Sequence, residues 1–307
     1  MFNMLKEIIY PLYVFLFLLG TIIGSFLNVV ILRSERNQEI VKTPSHCDQC
    51  GAKLKIWENI PLFSYIFLRG RCGHCHKTIS AINPMSEFLT GVLFVIVFWR
   101  FLQIPFFQAS FTGISAMQWF INFLPLALWL IYVAVLLLIS IYDIRNLVVM
   151  DGFLIVGFVA GLLGESLMFL IDKYNPIAFL SYYHNWLGSA GFFFPEIPGI
   201  FSNIAGLLIG FLFIKGIVWV TKGRAMGDGD PYIAGFIGFI LGAPSVFVFL
   251  FMAFIIGGLA CFALIVSGYK RTKQYIAFGP FLTLGGLLTF LWGEKILQIY
   301  FNLMMLN

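Results

Sequence analysis

Charge is scarce in this chain. Only 11% of its 307 residues are Asp, Glu, Lys or Arg, where a soluble domain carries about 25%. That shortage excludes an ordinary water-soluble globular domain and a charge-rich disordered chain. Histidine is also rare, at 4 residues, and cysteine stands at 5. A disulfide-dense secreted scaffold is therefore excluded. No glycine-rich nucleotide loop of the GxGxG kind is present, and no low-complexity tract, internal repeat or long linker is evident. The formal net charge of +5 does not argue for nucleic acid, because membrane proteins collect Lys and Arg in their cytoplasmic loops.

Apolar residues are abundant. They make up 60% of the chain, and the mean hydropathy is +0.94. A membrane span needs about 20 mostly apolar residues. Candidate spans are 9–32, 86–104, 118–142, 152–171, 198–220, 232–244, 245–268 and 277–297. The expected fold is an all-α polytopic membrane protein of about eight transmembrane helices. The first apolar run is too long for a signal-peptide core and has no evident small-residue cleavage site, so it reads as a retained span. The sixth candidate is short, with its boundary near Pro244. Its glycines, Gly235, Gly238 and Gly242, have the spacing of a close helix contact.

Basic residues set the expected orientation. With the N-terminus outside, the inside segments are 33–85, 143–151, 221–231 and 269–276, which hold 14 of the 19 Lys and Arg. That bias fits the positive-inside rule. The outside stretch 173–197 is rich in Tyr, Trp and Phe and suits the membrane interface. The expected division is 1–32 as the first span, 33–85 as a cytoplasmic tetracysteine domain and 86–307 as the remaining transmembrane domain.

Four cysteines lie in that cytoplasmic segment. Cys47 and Cys50 form one CxxC and Cys72 and Cys75 a second, with 21 residues between them. Short knuckles of this kind let four thiolates converge on one tetrahedral ion, and the closed shell makes a structural Zn²⁺ rather than a catalytic one. A reducing cytoplasm disfavours two disulfides. So small a segment also needs a staple to fold. His46, His74 and His76 flank the cysteines and read as polar surface residues. Cys261, alone in an apolar run, reads as a small packing residue.

Two acids stand at the edges of apolar runs. Asp143 lies in LLISIYDIRN and Asp230 in GRAMGDGDPY. A charged side chain at a helix centre in lipid costs about 2.5–3.5 kcal/mol on insertion scales, so such acids are functional candidates. The orientation places both at one membrane face. A carboxyl pair sharing one proton can activate water. Asp151 reads instead as a helix N-cap. Asp228 lies two residues from Asp230 and cannot share its direction on a helix. Glu58, Glu87 and the aspartate pair itself are candidates to receive positive charge, and Glu87, at the start of the second span, reads equally as a snorkelling or helix-capping residue. A proton-coupled transporter using the two acids as a relay, or a non-catalytic assembly scaffold, would also be built from spans and buried acids. The halves show no paired broken-helix pattern of the transporter kind.

Taken in order, GSFLNVVILR, the tetracysteine segment, INPMSEFLTG, YDIRNLVVMDG, the GxGD tetrapeptide of residues 227–230 and FGPFLTLGG resemble the type IV prepilin peptidases. These are prepilin leader peptidase/N-methyltransferases of the GxGD aspartyl protease class. The resemblance covers nearly the whole chain. It implies cleavage of the leader of type IV prepilins or type II secretion pseudopilins after a Gly, at the cytoplasmic face of the bacterial inner membrane. It also implies methylation of the new N-terminus with S-adenosylmethionine, through residues that local chemistry does not reveal. The catalytic pair it implies is Asp143 and Asp230. Two departures stand out: Met150 precedes Asp151 where the family often has Pro, and Pro231-Tyr232 follows GxGD where many members have Lys at the second position.

Overall fold

Backbone N–H and C=O groups cannot be left unpaired in lipid, so long apolar runs satisfy them internally as α-helices. The computed structural model of this protein shows that solution in the apolar runs it describes. It describes residues 2–36, 38–39, 45–47, 49–103, 116–174, 199–268 and 276–305. The chain divides into two compact units, Met1–Phe101 and Leu102–Asn307. The aromatic stretch 173–197 and the basic loop 269–276 lie almost wholly outside the described residues.

The first unit is a helical hairpin with a cysteine-bearing insertion. Its helices are α1 (Phe2–Glu35), the short α2 (Phe63–Phe67) and α3 (Ile82–Phe101), with a 3₁₀ turn at Ile56–Asn59. Glycines let α1 and α3 approach closely, as small residues do in membrane helix pairs. A Cβ on Gly20 would lie 2.7 Å from Gly91 Cα, and one on Gly24 would lie 2.8 Å from Glu87 Cα. Asn28 Nδ2 donates to the Asn83 carbonyl at 3.1 Å and Ser86 Oγ contacts Asn28 Oδ1 at 2.7 Å. The register is antiparallel. It explains why GSFLN and INPMSEFLTG occur in one chain: each motif is the other's packing surface.

The second unit holds α4 (Ala116–Asn146), α5 (Asp151–Tyr174), α6 (Gly199–Thr221), α7 (Asp230–Leu241), α8 (Ala243–Val266) and α9 (Gly279–Met305). With α1 and α3 these make, among the described residues, eight helices at the eight expected spans. Five contain stretches long and apolar enough to cross a membrane, in α1, α3, α4, α6 and α8. The described apolar stretches of α5, α7 and α9 are shorter.

Helix α7 is the centre of this unit. It has 12 residues, about 18 Å of helix, and nearly all of them are buried. Small residues on α6 and α7 face one another in antiparallel register. Gly242 meets Ser202, Gly238 meets the Gly206 carbonyl, and a Cβ on Gly210 would lie 2.5 Å from the Ala234 carbonyl. The glycine spacing read from the sequence is thus a helix contact, and α6 carries its matching half. The break after α7 falls at Gly242, two residues before Pro244. Gly242 takes φ +78, a left-handed conformation that glycine adopts without strain, and Pro244 lies in the first turn of α8, where its missing N–H costs nothing. Other glycines receive aromatic rings: Gly157 accepts the Phe236 ring and Gly161 the Phe239 ring. Trp129 on α4 stacks on Phe290 of α9 at 3.5 Å between ring centroids.

Candidate functional sites

Three helix ends meet around the two aspartates of the second unit. Asp143 does not follow its span, as the sequence reading had it. Helix α4 continues to Asn146, so Asp143 sits inside its last turn. The helix extends because Tyr142, Ile144 and Asn146 remain compatible with helical backbone, and Leu147 closes it in a left-handed conformation (φ 53), its N–H donating to the Asp143 carbonyl at 2.9 Å. Asp143 is only 5% exposed. Its Oδ2 accepts the Gly279 N–H at 3.0 Å, and Gly279 is the first residue of α9. A carboxylate therefore faces the N-terminus of α9, where free N–H groups and the helix dipole favour negative charge. One turn earlier, Ser140 Oγ lies 2.7 Å from Thr283 Oγ1 and ties the same two helices.

Gly279 has no room for a side chain. A Cβ there would sit 2.5 Å from Asp143 Oδ2 and 3.0 Å from Ile233 Cδ1. This is the role of the FGPF motif, which the sequence shows only as a pattern. The contact with Ile233 also brings α7 to the same place. Asp230, again 5% exposed, opens α7, and its Oδ2 accepts the Gly227 N–H at 2.9 Å. The GxGD turn folds back on its own carboxylate. Gly229 is held under Val149, whose Cγ2 would lie 2.5 Å from a Cβ on it. The two carboxyl groups are near enough to interact electrostatically. Asp228 points away: its side chain is 86% exposed and lies 3.5 Å from Lys215 Nζ. Asp151 is the first residue of α5.

The cysteines of the first unit form a second site. Cys47, Cys50, Cys72 and Cys75 bring their sulfurs within 4.8 Å of one another, with Cys47 Sγ and Cys75 Sγ at 4.0 Å. A tetrahedral ion with metal–sulfur bonds of about 2.3 Å would set sulfurs about 3.8 Å apart. The donor set fits such a metal. None of the flanking histidines belongs to this group among the described residues. His74 instead lies 3.6 Å from Glu58.

The two halves of the cluster are built alike, a duplication not evident in the sequence. Gly51 N–H donates to the Cys47 carbonyl at 2.8 Å and His76 N–H to that of Cys72 at 3.0 Å. Cys47 N–H donates to Ala52 and Cys72 N–H to Lys77, both at 2.9 Å. Each pair of equivalent positions is 25 residues apart. The residue after the second cysteine is left-handed in both, with φ 70 at Gly51 and φ 57 at His76. The N–H groups of Cys75 and His74 point at the Cys72 sulfur and, with smaller help from the neighbouring cysteines, hold its thiol down at about 6. That thiolate exists at neutral pH and presents a ready first ligand to a cation.

Glu58 and Glu87 are occupied in the fold. Glu58 accepts the Lys55 N–H at 2.8 Å and its carboxylate fills the space beside Gly73. Glu87 accepts the Leu62 N–H at 2.8 Å. Each acid thus has a backbone partner that fixes its carboxylate within the cysteine-bearing unit.

Residues 18–101 match the family described as Bacterial Peptidase A24 N-terminal domain. The chain is 27% identical over 288 residues to the prepilin leader peptidase/N-methyltransferase of Bacillus subtilis (strain 168), covering 94% of this chain and 97% of that protein. It is 27% identical over 314 residues to the protein of that name from Xanthomonas campestris pv. campestris, covering 92% of each. With the one from Neisseria gonorrhoeae it shares 26% over 299 residues, 89% of this chain and 87% of that one. No solved structure matches the chain. The fold, the cysteine cluster and these relatives together define a multi-pass membrane enzyme with an A24-type N-terminal domain. Over most of its length the chain is similar to proteins named prepilin leader peptidase/N-methyltransferase.

Proposed function

We propose that this protein is a membrane aspartyl endopeptidase with Asp143 and Asp230 as its catalytic pair. Its substrates are type IV prepilins or type II secretion pseudopilins, cut after the leader's Gly at the cytoplasmic face of the inner membrane. The observation that carries this reading is the meeting of two buried carboxyl groups at the N-termini of α9 and α7. The family relatives support it, as does the concentration of Lys and Arg in the segments assigned to the cytoplasm.

The mechanism follows from the pair. Two close carboxyl groups ionise together only at high cost, so one holds a proton while the other is ionised. The ionised member takes a proton from water as the oxygen attacks the carbonyl carbon after Gly. The protonated member donates a hydrogen bond to the developing oxyanion. Transfer of a proton to the amide nitrogen then breaks the C–N bond and releases the new amine. The Gly279 and Gly227 N–H groups keep each carboxylate aimed, which is electrostatic preorganisation in the sense of fixed donors.

In the same reading, the new N-terminal amine is methylated by S-adenosylmethionine. The tetracysteine segment within 33–85 holds a structural Zn²⁺, with Cys47, Cys50, Cys72 and Cys75 as ligands. The ion closes the knuckles and takes no part in peptide cleavage.

The test is co-expression with a prepilin and mass spectrometry of the pilin N-terminus. The expected product begins immediately after the leader's Gly and is 14 Da heavier than the unmethylated form, one CH₂ by composition. An intact leader in the presence of correctly inserted enzyme rejects the proposal. A narrower expectation concerns Gly279→Ala. The added methyl displaces the Asp143 carboxylate, so cleavage in detergent falls on the order of 10²-fold, the typical penalty of a small misplacement of a catalytic group. Helix content and extraction behaviour stay unchanged. Full activity of Gly279→Ala removes the motif's assigned role.

A further inference from the structure

The cysteine-bearing segment turns an apolar face outward. Ile56 is 86% exposed and Phe67 80%, and Trp57, Ile60, Phe63 and Ile66 are exposed with them. On α2 the exposed residues are Phe63, Ile66 and Phe67, the spacing of one helix face. Ser64 and Tyr65, which water would accommodate, are the half-buried ones. A helix on a small domain surrounded by water buries its apolar face. This one does the reverse.

The fold also fixes where that face lies. The buried Glu87 carboxylate accepts the Leu62 N–H at 2.8 Å. Glu87 is the sixth residue of α3, about 7.5 Å along the helix from Ile82. Leu62, directly before α2, is thus held beside the first two turns of a helix apolar enough to cross a membrane. Over those turns α3 exposes Met85, Phe88 and Leu89. Leu62 itself is a γ-turn residue, with φ 61 and ψ −50 and the Phe63 N–H on the Pro61 carbonyl at 2.6 Å. This conformation is strained for a residue with a side chain and persists where surrounding contacts impose it. The segment runs into α3 at Ile82, and the Glu87–Leu62 hydrogen bond keeps this part of it beside the start of that helix. Lys55 Nζ lies 5.4 Å from the Trp57 ring centroid, and Arg69 follows α2. Aromatic rings beside basic groups are the composition of the headgroup layer.

We propose that residues 56–67 are an in-plane membrane foot. The side chains of Trp57, Phe63, Ile66 and Phe67 enter the boundary between headgroups and acyl chains, and Glu87 sets the depth through Leu62. The occupant of this surface is phospholipid.

Photo-crosslinking on the full chain tests it. The photoreactive residue p-benzoylphenylalanine replaces Trp57, Phe63 or Phe67 singly, and the protein is placed in bilayer nanodiscs of phosphatidylglycerol and phosphatidylethanolamine. All three positions are exposed, so the probe disturbs no packing, and a monodisperse extracted protein confirms folding. Illumination is expected to add the mass of a phospholipid at each position, at several times the yield of the same probe at the exposed knuckle residue Lys77. Adducts confined to a co-expressed pilin, or yields at the three positions no higher than at Lys77, overturn the proposal. The second variant, Glu87→Gln, keeps the spacing but replaces a charge-assisted acceptor with a neutral one. It is expected to lower the lipid adduct at Phe67 severalfold, and an unchanged yield overturns the role given to Glu87.

Discussion

Asp143→Asn and Asp230→Asn are each expected to abolish leader cleavage while leaving the protein inserted and folded. Asn keeps the size of the side chain and can still accept the N–H of Gly279 or of Gly227 through its carbonyl. What it removes is the exchangeable proton. General acid–base participation by one positioned group is worth about 10²–10⁴-fold in rate, and in the proposed mechanism the two acids act as a unit, so loss of either removes the contribution of both. Asp228→Asn is the matched comparison. Asp228 is exposed and faces Lys215, an arrangement worth at most about 1 kcal/mol, and its variant is expected to cleave at close to the normal rate. Cleavage of a purified prepilin in detergent, followed by gel shift, reads all three. Processing by the Asp230→Asn protein at the normal rate overturns the pair.

The second large effect is expected at the cysteines. Cys72→Ser should take bound zinc from one ion per chain to near none in protein purified under reducing conditions. Cys72 is the buried member of the set and the one whose sulfur is held as thiolate. Structural zinc supplies about 10–16 kcal/mol in small zinc-binding peptides, more than a segment of this size gains from its own apolar contacts. Loss of the ion therefore unfolds the insertion, whereas the α1–α3 hairpin, held by its own glycine contacts, stays in the membrane. Elemental analysis and limited proteolysis measure the two halves of this expectation. Cys261→Ser, in the apolar helix α8, should keep its zinc. Full zinc occupancy in Cys72→Ser, or a reduced wild-type protein without zinc, contradicts the ligand set.

Much of this architecture was legible beforehand because the bilayer restricts the choices. A run of 20 apolar residues in lipid has one backbone solution, so the eight helices fall where hydropathy puts them. Their ends do not. Asp143 reads as the first residue after a span because carboxylates disfavour lipid, yet helix α4 carries it inside, where the N-terminus of α9 receives it. That partner is 136 residues away, and no local pattern announces it. Gly279 and the α6 glycines escaped for the same reason: a glycine's function is the atom that approaches it, and a single sequence does not name that atom. The Lys55 and Leu62 N–H groups that meet Glu58 and Glu87 are likewise tertiary or turn partners that no local pattern names. The twin knuckles were obscured because only their backbones repeat, while Gly51 and His76 occupy the same left-handed position with unlike side chains.

The enclosure of α7 has a consequence for motion. A helix packed on its sides by α5, α6, α8 and α9 cannot swing without opening the whole bundle, an event on the slow side of the protein timescale. Asp230 is fixed to its first turn. The acid therefore does not travel to its substrate. Under the proposed function, a prepilin brings its scissile bond to a carboxyl pair that stays in place, and the rearrangement needed for each round of cleavage falls on the substrate chain.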